Sequence, residues 1–216
     1  MKLYAHPFSS YCQKALIAFY EKNAPFELRM LEDPGVMDEL AALWPQKRFP
    51  ILVDGGRLVV EATSIIEYLD LRHPGGTRLI PADPEVALDV RMMDRVFDNY
   101  VSTPQQKFIF DIVRPEGANR DPYGVEQARD MLDISYAWLD ERLSAHEWAT
   151  EYGFSLADCA AAPFLFYADW THEIPARFRT LRAYRARLLA RPSVARAVDG
   201  GRPFRHYFPM GAPDRD

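Results

Sequence analysis

Residues 48–69, RFPILVDGGRLVVEATSIIEYL, decide the fold. Two short apolar runs, Ile51–Val53 and Leu58–Val60, flank Asp54-Gly55-Gly56, the signal of a tight β-hairpin turn. From Ala62 the period changes, and Ile65, Ile66 and Leu69 recur at helical spacing. Pro50 removes a ladder donor just before the first strand. It either initiates that strand or belongs to a cis Phe49–Pro50 bond that turns the Phe49 N–H and C=O outward, where they would pair with an extended, peptide-like ligand. At the other end a strand stops on Glu61 and a helix begins, leaving unpaired N–H groups at the positive end of its dipole. Those amides suit a carboxylate and Glu61 suits an ammonium, the two charges of an α-amino acid terminus. Glu61 and Thr63 can also simply cap the helix.

Upstream, Leu3–Ala5 is a short strand signal. Cys12, Ala15, Leu16 and Phe19 then follow the i, i+3, i+4, i+7 spacing of a helix face. Phe26–Leu31 alternates like a strand, and a short helix from about Met37 to Leu43 is broken by Pro45. The order β-α-β-α-β-β-α closes at His73-Pro-Gly-Gly76. Strands joined through a helix are normally parallel and the hairpin must be antiparallel, so a mixed sheet is expected. Downstream, Pro81 and Pro84 punctuate a change to long helical patterns at roughly 85–113, 123–145, 155–170, 177–190 and 192–199. The expected organisation is an α/β domain over 1–76, a linker over 77–84 and an all-helical domain over 85–216.

Composition narrows the function classes. The 216 residues carry 26 basic and 31 acidic side chains, a net charge of −5, which leaves no electrostatic footprint for nucleic acid. The Arg-rich stretch Arg177–Arg205 is interleaved with Leu, Ala and Tyr and reads as a solvated amphipathic helix. Two cysteines, Cys12 and Cys159, cannot build a disulfide framework or a zinc site. No apolar run reaches the ~18 residues of a membrane span, and Met1-Lys-Leu-Tyr-Ala-His-Pro7 lacks a signal-peptide core. The expectation is a soluble, cytoplasmic protein with no nucleic-acid or membrane partner and no metal.

FPILVDG followed by EATSIIEYL resembles the glutathione transferase superfamily, whose thioredoxin-like half ends in a cis-proline segment and a Glu-Ser helix start. HPFSSYCQKALIAFYEKNAPFE is similar to that family's first β-α-β unit, WPQKRFPILVD to its second conserved stretch, and FSLADCAAAP to the capping box of its helical domain. The last match also has a direct reading: Ser155 at N-cap and Asp158 at N3 can satisfy each other's amides, with Phe154 and Cys159 at the staple positions. The resemblance implies a thioredoxin-like fold plus a helical domain, glutathione as cosubstrate, a small hydrophobic electrophile as second substrate, and a homodimer. It implies that the Phe49 backbone pairs with the cysteinyl unit, that Pro50 holds that geometry, and that Glu61 with the amides near Ala62 and Thr63 takes the γ-glutamyl end. Arg48 would reach the glycyl carboxylate. Ala62 stands where the family has serine, so one hydroxyl bond is missing. That loss is worth about 1.5–3 kcal/mol unless Thr63 or Ser64 supplies another.

The same resemblance gives HPFSSYCQK, His6–Lys14, a role. SSYC overlays the Cys-Pro-Tyr-Cys of glutaredoxins, with Ser9 at the nucleophilic cysteine and Cys12 at the resolving one. A hydroxyl cannot form a mixed disulfide, but it can donate to the glutathione sulfur and favour the thiolate. Ser9 is therefore the expected catalytic residue. Ser10 and Tyr4 are rival donors, Ser10 also as a helix cap. His6 has no evident partner, and Cys12 falls on an apolar helix face as a packing thiol. Phe8, Tyr100, Phe108, Phe204 and Tyr207 are candidates for the electrophile pocket. The competing readings are a thiol–disulfide or deglutathionylating enzyme using Cys12, a zeta-like isomerase, and a non-catalytic dimerisation or binding module.

Overall fold

The computed structural model describes residues 1–115, 117 and 119–216. A four-stranded sheet of order β2-β1-β3-β4 is built from β1 (Lys2–Ala5), β2 (Glu27–Met30), β3 (Ile51–Asp54) and β4 (Arg57–Val60). β1 and β2 are parallel, whereas β3 pairs antiparallel with both β1 and β4. The expected mixed sheet is therefore present, with one departure. β3, reached from β2 through a helix, runs opposite to it, because the connection over 31–50 crosses β1 and starts β3 at the same end of the sheet where β2 stops.

Strand alternation sorts the side chains onto two faces. Leu3, Ala5 and Leu52 join the main core with α1 (Ser10–Lys22) and α3 (Ala62–Arg72). Tyr4 and Ile51 form a smaller cluster with Val36 and Leu40 of α2 (Val36–Leu43). Asn23, in the left-handed conformation at φ 50°, ends α1 by donating its N–H to the last-turn carbonyls.

The second half is helical: α4 (Pro84–Phe97), α5 (Thr103–Ile112), α6 (Pro122–Arg142), α7 (Leu156–Thr171), α8 (Arg179–Ala190) and α9 (Pro192–Gly201). The single helix expected over 85–113 is one helical run interrupted by a π-turn at Asp98–Ser102. Such turns cluster at functional sites because they re-aim the side chains that follow. A 3₁₀ turn at Arg202–Tyr207, absent from the sequence reading, carries the chain back toward the sheet. Every residue of α7 is buried, as expected for a helix apolar all round. It lies against α1 and α4, so the core is continuous from sheet to helices.

The capping box is present in altered form. Asp158 Oδ2 accepts both the Ser155 N–H at 2.9 Å and the Ser155 hydroxyl at 3.0 Å. Its Oδ1 accepts the Ala149 N–H at 2.9 Å and the Tyr184 hydroxyl at 2.7 Å. Among the described residues no helix is long and apolar enough to cross a membrane, and no cluster of three or more metal-ligating side chains is present.

Candidate functional site

A cleft of about 640 Å³ lies between the sheet half and the helical half. Ser9 sits at its base as the N-cap of α1, with extended backbone at φ −80° and ψ 128°. Its hydroxyl accepts the Cys12 N–H at 3.4 Å, the long end of a hydrogen bond, and among the described residues it donates to nothing. The proton is thus free to point into the cleft. Ser10 is the first residue of the helix and also lines the cleft. The capping role expected of Ser10 belongs to Ser9.

Two other candidates at this point are turned away. The Tyr4 hydroxyl donates to Glu39 on α2 at 3.1 Å and does not line the cleft; burial, the largest cause, and then Glu39 raise its pKa. Cys12 is wholly buried, and desolvation pushes its thiol up to about 12 although its sulfur accepts the His6 N–H. Burial thus disfavours the Cys12 thiolate and keeps the sulfur off the cleft lining. His6, given no role by the sequence, is a structural latch. Its Nδ1 accepts the Phe8 N–H at 3.2 Å, its ring meets Phe204 edge-on at 4.6 Å, and its Nε2 lies 3.4 Å from Glu32.

Along one wall the cleft is lined by Arg48, Phe49, Pro50, Glu61 and Ala62. The Phe49–Pro50 peptide is cis. Among the described residues neither the N–H nor the C=O of Phe49 has a protein partner. Glu61 precedes α3 in a conformation rare for a residue with a Cβ, φ 70° and ψ 127°, and its side chain makes no capping bond. A backbone of this kind costs on the order of 1–3 kcal/mol and persists where the surroundings enforce it. The first intrahelical bond of α3 runs from the Ile65 N–H to the Glu61 C=O at 2.9 Å, so the Ala62, Thr63 and Ser64 amides are unpaired among the described residues. Arg48 and Lys47 are exposed cations at the same cleft.

The Thr63 hydroxyl is engaged behind this wall. It accepts from Lys14 Nζ at 2.8 Å and from Arg95 Nη2 at 2.6 Å, and it donates to Asp94 Oδ2 at 3.0 Å. Lys14 is fully buried, with Nζ 2.6 Å from Asp94 Oδ1. A lysine is rarely buried unless paired. This one ties α1, which carries Ser9, to the start of α3 and to α4. Of Thr63 only the backbone amide is left for a ligand, its hydroxyl does not replace the one missing at Ala62, and Ser64 is exposed outside the cleft lining.

The opposite wall comes from α1, the π-turn, α5 and the C-terminal segment. The Tyr11 hydroxyl donates to Asp98 Oδ1 at 2.6 Å and accepts from Ser102 and Gln106, both at 3.3 Å. Burial, with Asp98 second, raises it to about 12, so it stays protonated. Asp98, Gln105, Gln106, Ile109 and Phe110 follow one another along the helical run and reach the cleft. Of the aromatics the sequence nominated, Phe8 and Tyr207 line the cleft. Phe108 is core, Phe204 meets His6 edge-on, and Tyr100 is exposed elsewhere. Sequence reasoning missed Tyr11, Trp44, Gln105 and Asp98. The last two stand seven apart, but the π-turn between them breaks the regular helical period, so their common wall left no signal in the sequence.

A thioredoxin-like sheet half that meets a helical bundle across a cleft, with a cis-proline and a strained helix start on one wall, defines a two-part class of proteins. The chain matches the model of the glutathione S-transferase N-terminal domain over residues 3–77 and that of the C-terminal domain over 102–192. It belongs to the glutathione S-transferase superfamily. A glutathione S-transferase from Methylobacillus flagellatus, solved with glutathione bound, superposes with a TM-score of 0.81 at 25% identity, covering 91% of this chain and 98% of that one. Among curated proteins, a stringent starvation protein A homolog from Haemophilus ducreyi is 26% identical over 94% of this chain and 92% of its own length. The protein LigF from a Sphingobium species is 27% identical over 90% of this chain and 91% of its own length.

Proposed function

We propose that this protein is a glutathione transferase in which Ser9 activates the thiol of bound glutathione for attack on a small hydrophobic electrophile. The observation that carries the reading is the Ser9 hydroxyl: it accepts a hydrogen bond from its own helix, keeps its proton free, and lines the cleft. Donation of that proton to a thiolate favours the ionised form, and the N-terminal end of the α1 dipole acts in the same direction. The residues around it fit the tripeptide. The unpaired Phe49 backbone suits the cysteinyl unit, and Arg48 suits the glycyl carboxylate. Glu61 and the free amides of Ala62 and Thr63 suit the γ-glutamyl ammonium and carboxylate. In the reaction the thiolate sulfur forms a bond to carbon, the leaving group departs with its electron pair, and the thiol proton goes to solvent.

The buried, protonated Cys12 argues against a disulfide mechanism. Steady-state conjugation of glutathione to 1-chloro-2,4-dinitrobenzene by the wild type and Cys12→Ser tests this. The transferase reading predicts kcat/KM values within about twofold of each other. Loss of all activity in Cys12→Ser, with the protein still folded, would favour the disulfide chemistry instead. The proposal includes a homodimer. Tyr100, Met131, Ile134 and Trp138 are exposed on adjoining elements, with the Ser135 hydroxyl donating to the Tyr100 carbonyl at 2.8 Å. A two-fold contact would cover that stripe, and sedimentation at micromolar concentration should give twice the 24.8 kDa chain mass. Ala62 supports one second reading, a non-catalytic binding module, and calorimetry that finds no glutathione binding at millimolar ligand would favour it.

A further inference from the structure

The wall opposite Ser9 contains a polar group with no partner. Gln105 is only 5% exposed and lines the cleft, yet its amide makes no hydrogen bond among the described residues. An amide that faces the cleft without a protein partner is open to a group that enters, and an occupant that displaces water without replacing its hydrogen bonds would leave it unpaired at a cost. Seven residues earlier, across the π-turn, the Asp98 carboxylate also lines the cleft. Its Oδ1 accepts from Tyr11 at 2.6 Å, and Arg95 Nη2 lies 3.2 Å behind its Oδ2. Each carboxylate oxygen retains a lone pair. Phe8, Ile109, Phe110 and Phe208 supply apolar and aromatic surface to the same cleft, beside the polar Gln106 and Tyr207.

We propose that this half of the cleft selects an uncharged aromatic electrophile carrying a hydroxyl group, with Gln105 as a specificity-determining residue. The inference rests on the transferase reading above and adds the class of its second substrate. A hydroxyl can donate to Asp98 and exchange a hydrogen bond with the Gln105 amide, which both donates and accepts. An apolar group at the same position would leave a buried amide unpaired. A site built to hydrogen-bond a hydroxyl rejects an analogue lacking it far more strongly than an apolar pocket discriminates by size. A carboxylate on the substrate would face Asp98, a group that can only accept hydrogen bonds and repels a like charge.

The test uses three phenacyl chlorides that differ in the ring 4-substituent: hydroxymethyl, its near-isostere ethyl, and carboxylate. Each enzymatic kcat/KM with glutathione is divided by the uncatalysed rate. In every case the glutathione sulfur bonds to the α-carbon, chloride leaves with the electron pair and the thiol proton goes to solvent. The wild type should prefer hydroxymethyl over ethyl by about tenfold, with the carboxylate slowest. Gln105→Met, which keeps chain volume, should bring the hydroxymethyl-to-ethyl ratio close to one. Asp98→Asn, which still accepts from Tyr11, should raise the carboxylate's rate relative to ethyl. Turnover of all three without preference, or a preference that survives in Gln105→Met, would overturn the inference and leave the transferase reading standing. Absence of any glutathione-dependent turnover would overturn that reading and the inference with it.

Discussion

Helices α1 and α7 both begin on a serine, and they use it differently. At α7, Ser155 is wholly buried beside Asp158, whose two oxygens accept four hydrogen bonds from Ser155, Ala149 and Tyr184. At α1, Ser9 is half-buried, accepts one long bond from the Cys12 N–H, and faces a cleft. The first start is saturated and holds the helical half together. The second leaves a donor unspent. α3 goes further, because Glu61 makes no cap bond and sits at positive φ, so its amides and carboxylate stay free at a cost in backbone energy. Residual hydrogen-bonding capacity, not residue type, separates folding groups from candidate functional ones.

The largest effect expected from this contrast is at the saturated start. Asp158→Ala strands four donor groups in the core and should cost about 3–5 kcal/mol. That corresponds to a fall of about 10 °C or more in Tm, read by calorimetry. A loss below about 1 kcal/mol would show that Asp158 is not the keystone. Ser9→Ala removes only a long cap bond, so it should cost no more than about 1 kcal/mol of stability. It should nevertheless lower glutathione-dependent turnover by about 10²-fold, as loss of one preorganised donor commonly does. A stability loss as large as that of Asp158→Ala would erase the distinction between the two serines.

Glu61→Gly sharpens the third member of the comparison. Glycine adopts φ 70° without strain, so unfolding free energy should rise by about 1 kcal/mol. Glutathione affinity should fall at the same time, by tenfold or more, because a charged partner of the ammonium is removed. Unfolding and calorimetric titration of the same sample read both changes, and a variant that is neither stabler nor weaker-binding would refute the role of Glu61.

The smallest effect concerns pH. Burial raises the Asp158 carboxyl from 3.8 to about 6 against the pull of its four donors. A carboxyl with a raised folded pKa binds its proton more tightly when folded. Its contribution therefore stabilises the fold below about pH 4 and fades as pH rises through about 6. Glu21 works in the opposite sense. Arg191, Ser193 and Thr77 outweigh desolvation and lower its pKa, so its contribution is present above the usual glutamate range and is lost on acidification. Unfolding free energies from pH 4 to 7, compared between wild type and Asp158→Asn, isolate the Asp158 component as a falling slope that the variant lacks.

The order of elements along the chain, the hairpin and the helical half were legible in the sequence because they rest on periodicity and turn residues, which are local; the strand order β2-β1-β3-β4 was not. The hairpin at Asp54-Gly55-Gly56 and the start of α3 fall where their residues say they should. The cleft wall on α5 was not legible. Aromatic spacing pointed to Tyr100 and Phe108, but the π-turn at Asp98–Ser102 rotates the helix face, so that Gln105, Gln106 and Phe110 reach the cleft instead. The engagement of the Thr63 hydroxyl was equally hidden, since Lys14 lies 49 residues away along the chain and meets it only through tertiary packing. Long-range polar contacts of that kind leave no periodic trace.

The most direct test of the account is an ultraviolet titration of the glutathione thiolate bound to the wild type and to Ser9→Ala. The bound thiol should ionise clearly below free glutathione in the wild type and return toward the free value in the variant. Glutathione bound to both proteins with identical titration curves would contradict it.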